Sequence, residues 1–169
     1  GITFVDEQGK EKHPYILHCS PSGAIERCIY ALLEKAWMQK EKGKAPCLPL
    51  WLCPVHVRLC PVNDSFLEDC ERLASFFEEQ GIRVDIDDRS ESVERKIRDA
   101  EHEWIPYIVV FGERERKKGK LSVRVRKERS ISQMSKEELA EDIKKQIAGY
   151  PFRQLSLPKK LTQRAVFTH

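Results

Sequence analysis

No two of the six cysteines stand as a C-x-x-C pair, so Cys19, Cys28, Cys47, Cys53, Cys60 and Cys70 write neither a zinc ribbon nor a dithiol redox motif. Apolar neighbours surround most of them, and buried, reduced thiols are expected, because free cysteine packs like a small hydrophobe. Long hydrophobic runs are missing too. Nowhere do about eighteen apolar residues follow one another, and the first twenty positions carry charges throughout, with no core of a signal peptide. Membrane insertion and secretion are therefore not expected, and the cytoplasm is the expected compartment. The G-x-x-x-x-G-K-[ST] phosphate loop, the G-x-S-x-G elbow and the H-E-x-x-H metal motif are all absent. Internal repeats and low-complexity segments are absent as well. What is present is a chain of 169 residues, 40% hydrophobic, which suits one α/β domain of ordinary size and a short extra piece.

The net charge of +3 is small but unevenly spread. Residues 64–103 hold fourteen acids against six bases, whereas residues 113–129 hold nine bases against three acids. The second segment is a local basic patch. Such a patch releases counterions on meeting phosphate even when the whole chain is near neutral, although a solvated hairpin rich in Lys and Arg has the same composition.

Along the chain, the first nineteen residues predict a hairpin turning at Gly9, with its second strand over Tyr15–Cys19. Ser20 and Pro21 suit the start of a helix that repeats Ile25, Ile29, Leu32 and Ala36. Gly43 and Pro46 mark a linker, and the domain boundary is placed there, between 1–45 and 46–169. Val55, Val57 and Leu59 alternate as in a strand. A helix follows, with Ser65 and Glu68 as its capping box and Phe66, Cys70, Leu73 and Phe77 on one face. Ile82, Val84 and Ile86 predict a strand, and Val93, Ile97, Ala100 and Trp104 a helix stopped by Pro106. Tyr107–Phe111 has the continuous apolar character of a central strand. In "LSVRVR", Leu121, Val123 and Val125 face one side, turning Ser122, Arg124 and Arg126 to the other. A hairpin through Lys117, Lys118 and Gly119 is expected between these two. A last helix carries a capping box from Ser135 to Glu138, a staple between Met134 and Leu139, and a stop at Gly149. The tail, with its two prolines, is expected to lie extended over the surface. The fold implied is a mixed, mostly parallel α/β sheet of about five strands flanked by helices.

Read alone, the side chains offer little chemistry. Arg27 follows a glycine-containing turn, where a guanidinium fork can meet phosphate oxygens, but an arginine on a solvated helix face is commoner. His13, His56, His102 and His169 are scattered. Asp87 and Asp88 end a strand and read as a helix entry, at a place where loops above a sheet often carry binding residues.

The stretches "LPLWLCPVHVRLCPV", "GIRVDIDDRSESVERKIRDAEHEWIPYIVVFGERE" and "GKLSVRVR" closely resemble the C-terminal anticodon-binding domain of the threonyl-tRNA synthetases, particularly the archaeal type, as does the ending "LSLPKKLTQRAVF". The similarity runs in register from about residue 14 to the end. In "SGAIER" the chain resembles motif 3 of class II synthetases, which implies that Arg27 binds ATP phosphates, with magnesium, in the intact enzyme. The register matches His18 to the last of three zinc ligands; the others, with motifs 1 and 2, are expected upstream. Residues 1–45 then read as the end of a catalytic domain. No cofactor and no aminoacylation are expected of this fragment by itself. Ala24 departs from the serine usual at its position.

For the second domain the resemblance implies recognition of the anticodon of tRNA(Thr), not DNA and not membrane, by an enzyme that dimerises in its intact form. Arg124 matches an anticodon-contacting arginine, Glu115 an acid on the preceding hairpin arm, and Ser90 a position held by asparagine in the bacterial enzyme. Serine reaches less far, so a contact at Ser90 is expected to be weaker, water-mediated or replaced by Arg89 or Glu91, with Arg126 nearby. Arg116, Lys117 and Lys118 are expected to neutralise phosphates without reading sequence. Two rivals remain: a protein-interaction module that shares the fold without reading tRNA, and a small catalytic domain using Asp87, Asp88 and Cys53.

Overall fold

A computed structural model describes residues 1–21 and 23–165. Ser22 of the "SGAIER" stretch and residues 166–169, His169 among them, lie outside the described residues. The backbone divides into two units, Gly1–Leu32 and Leu33–His169, and the division falls inside one long helix.

In the first unit, β1 (Phe4–Val5) pairs antiparallel with β2 (Glu11–Lys12). Gly9 takes the turn at φ +77°, a left-handed backbone that costs glycine little. Asp6 holds the turn by accepting from the amides of Gln8 and Lys10, each at 2.9 Å. The hairpin is as expected, but its second strand lies at 11–12 and not at 15–19. A strand needs a neighbour for its backbone groups, and among the described residues none pairs with 15–19, where Tyr15 and Leu17 are fully exposed. The helix also begins later than Ser20: α1 spans Ile25–Glu41, because Gly23 at φ +65° breaks any helical path before it.

The second unit takes the end of α1, a turn at Gly43 and a short 3₁₀ turn at Leu50–Leu52, and then enters the sheet. Its elements are β3 (Val57–Pro61), α2 (Leu67–Glu79), β4 (Val84–Ile86), α3 (Val93–His102), β5 (Tyr107–Phe111), α4 (Glu113–Lys118), β6 (Leu121–Val125), β7 (Ser130–Met134) and α5 (Lys136–Ile147). The strand order is β4-β3-β5-β6-β7. β3 runs parallel to both β4 and β5, and the last two pairings are antiparallel. This is the expected mixed sheet flanked by helices, with its pairings evenly divided between the two senses.

Alternation sets the two faces. Val57, Leu59, Val84, Ile86, Val109, Val123 and Val125 pack with Phe66, Cys70, Leu73 and Phe77 near α2 and with Leu139, Ala140 and Ile143 of α5. On the opposite face Cys60 and Ile108 pack with Ala100 of α3, Val55 and Ile105. The capping box expected at Ser65 does not form. Asn63 takes the cap, accepting from the Ser65 amide at 3.0 Å, and a 3₁₀ turn over Asp64–Phe66 delays α2. At α5 the capping box of Ser135 and Glu138 forms as expected.

Two features were not legible. Arg58, in the middle of β3 and without accessible surface, holds Asp85 of β4 bidentately at 2.9 and 2.8 Å and Glu103, just after α3, at 2.9 and 2.7 Å. The tail is pinned as well as extended. Ile86 donates to the Lys159 carbonyl at 3.0 Å, Lys160 bridges to Ile86, the Thr162 amide donates to Asp88 at 3.0 Å, and Arg164 lies 2.9 Å from Asp85. The free edge of β4 is thereby covered.

Candidate nucleic-acid interface

The sheet is covered unequally. α2 and α5 cover one face, whereas on the other α3 packs chiefly over β3 and β5 and reaches β6 through Glu101. The pleat decides what stands there. With Leu121, Val123 and Val125 turned into the α2/α5 core, Ser122 and Arg124 take the open face, and the antiparallel register sets Gln133 opposite Ser122 and Ile131 opposite Arg124. Arg124 therefore stands on the open side of β6, 37% exposed, as the sequence led one to expect. Its one ion-pair partner among the described residues is Glu101 of α3, at 3.6 Å, itself 47% exposed. A loose pair in water is worth little, so the fork is available to a ligand.

Residues 113–118 are not a hairpin arm but the short helix α4. Gly112 precedes it in extended backbone, acids occupy its first turn, bases its last, and Gly119 ends it at φ +64°. Glu115 is the third helical residue and reaches back: Gly112 N–H donates to its Oε2 at 3.1 Å, and Ser122 Oγ donates to its Oε1 at 2.8 Å. Gln133 Nε2 in turn donates to Ser122 Oγ at 2.6 Å. The link through Ser122 puts Glu115 at the same open face as Arg124.

Other expected residues are placed differently. Ser90 is exposed in the loop before Ser92, the N-cap of α3. Arg89 is engaged: its fork meets Asp87 at 2.8 and 2.7 Å and Asp99 at 3.1 Å. Burial would raise the Asp87 carboxyl, but the hydrogen bonds and charge of Arg89 hold it below the usual carboxylate range. Arg126 donates to the Pro46 carbonyl at 2.9 Å and to the Glu101 carbonyl at 2.6 Å, and lies over the Trp104 ring. Arg116 turns toward α2, pairing with Asp69, donating to the Ser65 carbonyl and covering the Phe66 ring. Lys117 pairs with Glu113 at 3.1 Å, and Lys118 is exposed. The turn between β6 and β7 brings Lys127 and Arg129, both exposed, to the other end of this face; they belonged to the basic patch but not to the expected site.

The catalytic rival finds no support in the geometry. Burial pushes the Cys53 thiol up to about 11, the opposite of an activated nucleophile, Asp87 is clamped by Arg89, and Asp88 accepts from Thr162. Cys60 and Cys70 are buried as well, and burial pushes both thiols up to about 12. In the first unit Arg27 is exposed and lies back against Gly23, and His18 is exposed. Among the described residues no three His, Cys, Asp or Glu side chains converge on a point where a metal ion could sit.

The family described as "Anticodon binding domain" matches residues 56–146, which hold the whole sheet, α2 to α4 and nearly all of α5. The chain belongs to the anticodon-binding domain family. Threonine–tRNA ligases are among its relatives. That of Pyrococcus furiosus is 48% identical over 167 residues, covering 99% of this chain and 27% of its own length. That of Methanosarcina acetivorans is 47% identical over 171 residues, covering 98% of this chain and 26% of its own. The resemblance read from the residues is thus borne out, and this anticodon-binding chain spans about a quarter of the length of the curated relatives it matches. Among solved structures, the RNA-binding domain of threonyl-tRNA synthetase from Cryptosporidium parvum Iowa II aligns with a TM-score of 0.55 at 20% identity, over 63% of this chain and 26% of that one. At that identity the likeness speaks for the fold.

Proposed function

We propose that this chain reads the anticodon of tRNA(Thr), as the C-terminal part of a threonine–tRNA ligase that joins threonine to its tRNA using ATP. The observation that carries the reading is the presence of a partly exposed guanidinium, Arg124, and a fixed carboxylate, Glu115, on the side of β6 turned away from α2 and α5. Anticodon bases are unstacked and are read on their edges. Arginine can donate twice to guanine O6 and N7, and a carboxylate accepts from guanine N1 and N2. Lys117, Lys118, Lys127 and Arg129 would meet phosphates at the two ends of this face, whereas Arg89 and Arg126 hold the protein together. Residues 1–45 would belong to the catalytic domain of the intact, dimeric, cytoplasmic enzyme, with Arg27 toward ATP phosphates and His18 as one zinc ligand. Alone, the chain binds tRNA and transfers no threonine.

Titration of the chain with a threonine tRNA transcript, and with one whose central anticodon G is replaced by C, tests the reading. Tighter binding of the first is expected at physiological salt; equal affinities would refute base recognition. Arg124→Ala is expected to lose about 1–3 kcal/mol on the cognate RNA and to blunt the discrimination, whereas Lys117→Ala weakens both RNAs alike and flattens the salt dependence.

A further inference from the structure

Glu115 has no freedom on the open face. A carboxylate only accepts, so the single proton of Ser122 Oγ goes to Glu115 Oε1, at 2.8 Å. The hydroxyl oxygen must then accept from Gln133, which fixes the amide of that side chain with Nε2 toward Ser122, at 2.6 Å. The second carboxylate oxygen is held by Gly112 N–H at 3.1 Å. Each oxygen keeps one lone pair after these bonds. The series Gln133→Ser122→Glu115 runs across β7, β6 and α4, and its first link exists because the register sets Ser122 against Gln133.

We propose that Ser122 and Gln133 are positioning residues for base recognition: together they orient the Glu115 carboxylate so that its remaining lone pairs match the paired N–H donors of a guanine edge. This rests on the anticodon reading above and adds to it. A guanine offers two adjacent donors there and a cytosine does not, so the discrimination depends on an acceptor pair held at one angle. With the series broken, the carboxylate is tied by the Gly112 amide alone and can turn to meet either RNA through water.

The experiment compares the two transcripts above on the full chain and four variants, with thermal melting of each protein recorded alongside. Ser122→Val and Ser122→Thr have the same shape and suit a strand equally, but only threonine keeps the hydroxyl. Expected is a loss of about tenfold in the affinity ratio for Ser122→Val and for Gln133→Ala, retention of the ratio in Ser122→Thr, an unchanged salt slope, and melting temperatures close to that of the parent. If Arg124→Ala blunts the ratio while Ser122→Val and Gln133→Ala keep it, the positioning role is overturned and anticodon reading stands. Equal losses on both RNAs, accompanied by lower melting temperatures, would reduce the two residues to structural ones and overturn the proposal. A parent chain that binds both transcripts equally would overturn both readings together.

Discussion

Arg58 has no accessible surface and answers two carboxylates, one of them, Asp85, equally buried. A buried ion pair adds little net stability, because desolvation cancels most of the attraction, but removing one member leaves a charge in low dielectric. Arg58→Met is therefore expected to cost about 3–5 kcal/mol in urea unfolding, and adding Asp85→Leu to recover part of that loss. A cost below about 1 kcal/mol would mean that Arg164, 2.9 Å away, or water compensates Asp85 once Arg58 is gone. At this scale the candidate site was half legible. Arg124 could be placed because period-two alternation alone decides the face of a strand residue. The contact of Gln133 with Ser122 could not, since it depends on the register between two strands, and Arg89, Arg116 and Arg126 gave no sign in sequence that carboxylates and carbonyls would claim their guanidinium groups.

Elements with strong periodicity or full caps were readable: the face of α2, the box that opens α5, the apolar run of β5. α3 was readable in part, since it ends at His102, Trp104 beyond it takes φ +59°, and Lys96 is buried where it donates to the Pro61 carbonyl at 3.1 Å. β7 was not, and the reason is physical. Ile131 is 61% exposed while Ser130 and Ser132 share the inner side, where only Met134 at the end of the strand is apolar, so most of its pattern runs against that of an ordinary half-buried strand. α4 reads as a hairpin in sequence because six residues are too few to show a helical repeat. The tail shows the same limit, since irregular backbone has no period, yet residues 159–164 close the edge of β4 and partner Asp85 and Asp88. Ending the chain at Pro158 is expected to cost about 2–3 kcal/mol in thermal or urea unfolding and to promote self-association seen by sedimentation, because the Ile86 amide loses its acceptor and an edge strand is laid bare. A shortened chain as stable and as monomeric as the parent would show that the tail rests on the surface without closing it.

For the molecule as a whole, acid is the revealing variable. His56 is fully buried, and burial, with the Arg83 guanidinium 2.6 Å from its Nε2, pushes it down from 6.5 to about 3. The unfolded chain thus takes up the proton first. Stability is complete above pH 6.5 and is lost as the pH falls from there toward 3, at a limiting slope of about 1.4 kcal/mol per pH unit. Asp87, also held low, adds to the loss only below the ordinary carboxylate range. Urea unfolding at pH 7.5, 6 and 5 should show the decline, and His56→Gln should flatten it; a parent curve level across that interval would contradict a neutral buried imidazole. The two borders of the sheet, finally, are finished differently: β4 is locked by the tail, whereas β7 is last in the strand order and is tied along one side only. Along its outer side β7 therefore keeps backbone N–H and C=O groups that no described strand pairs, the kind of border on which a further extended segment can add itself.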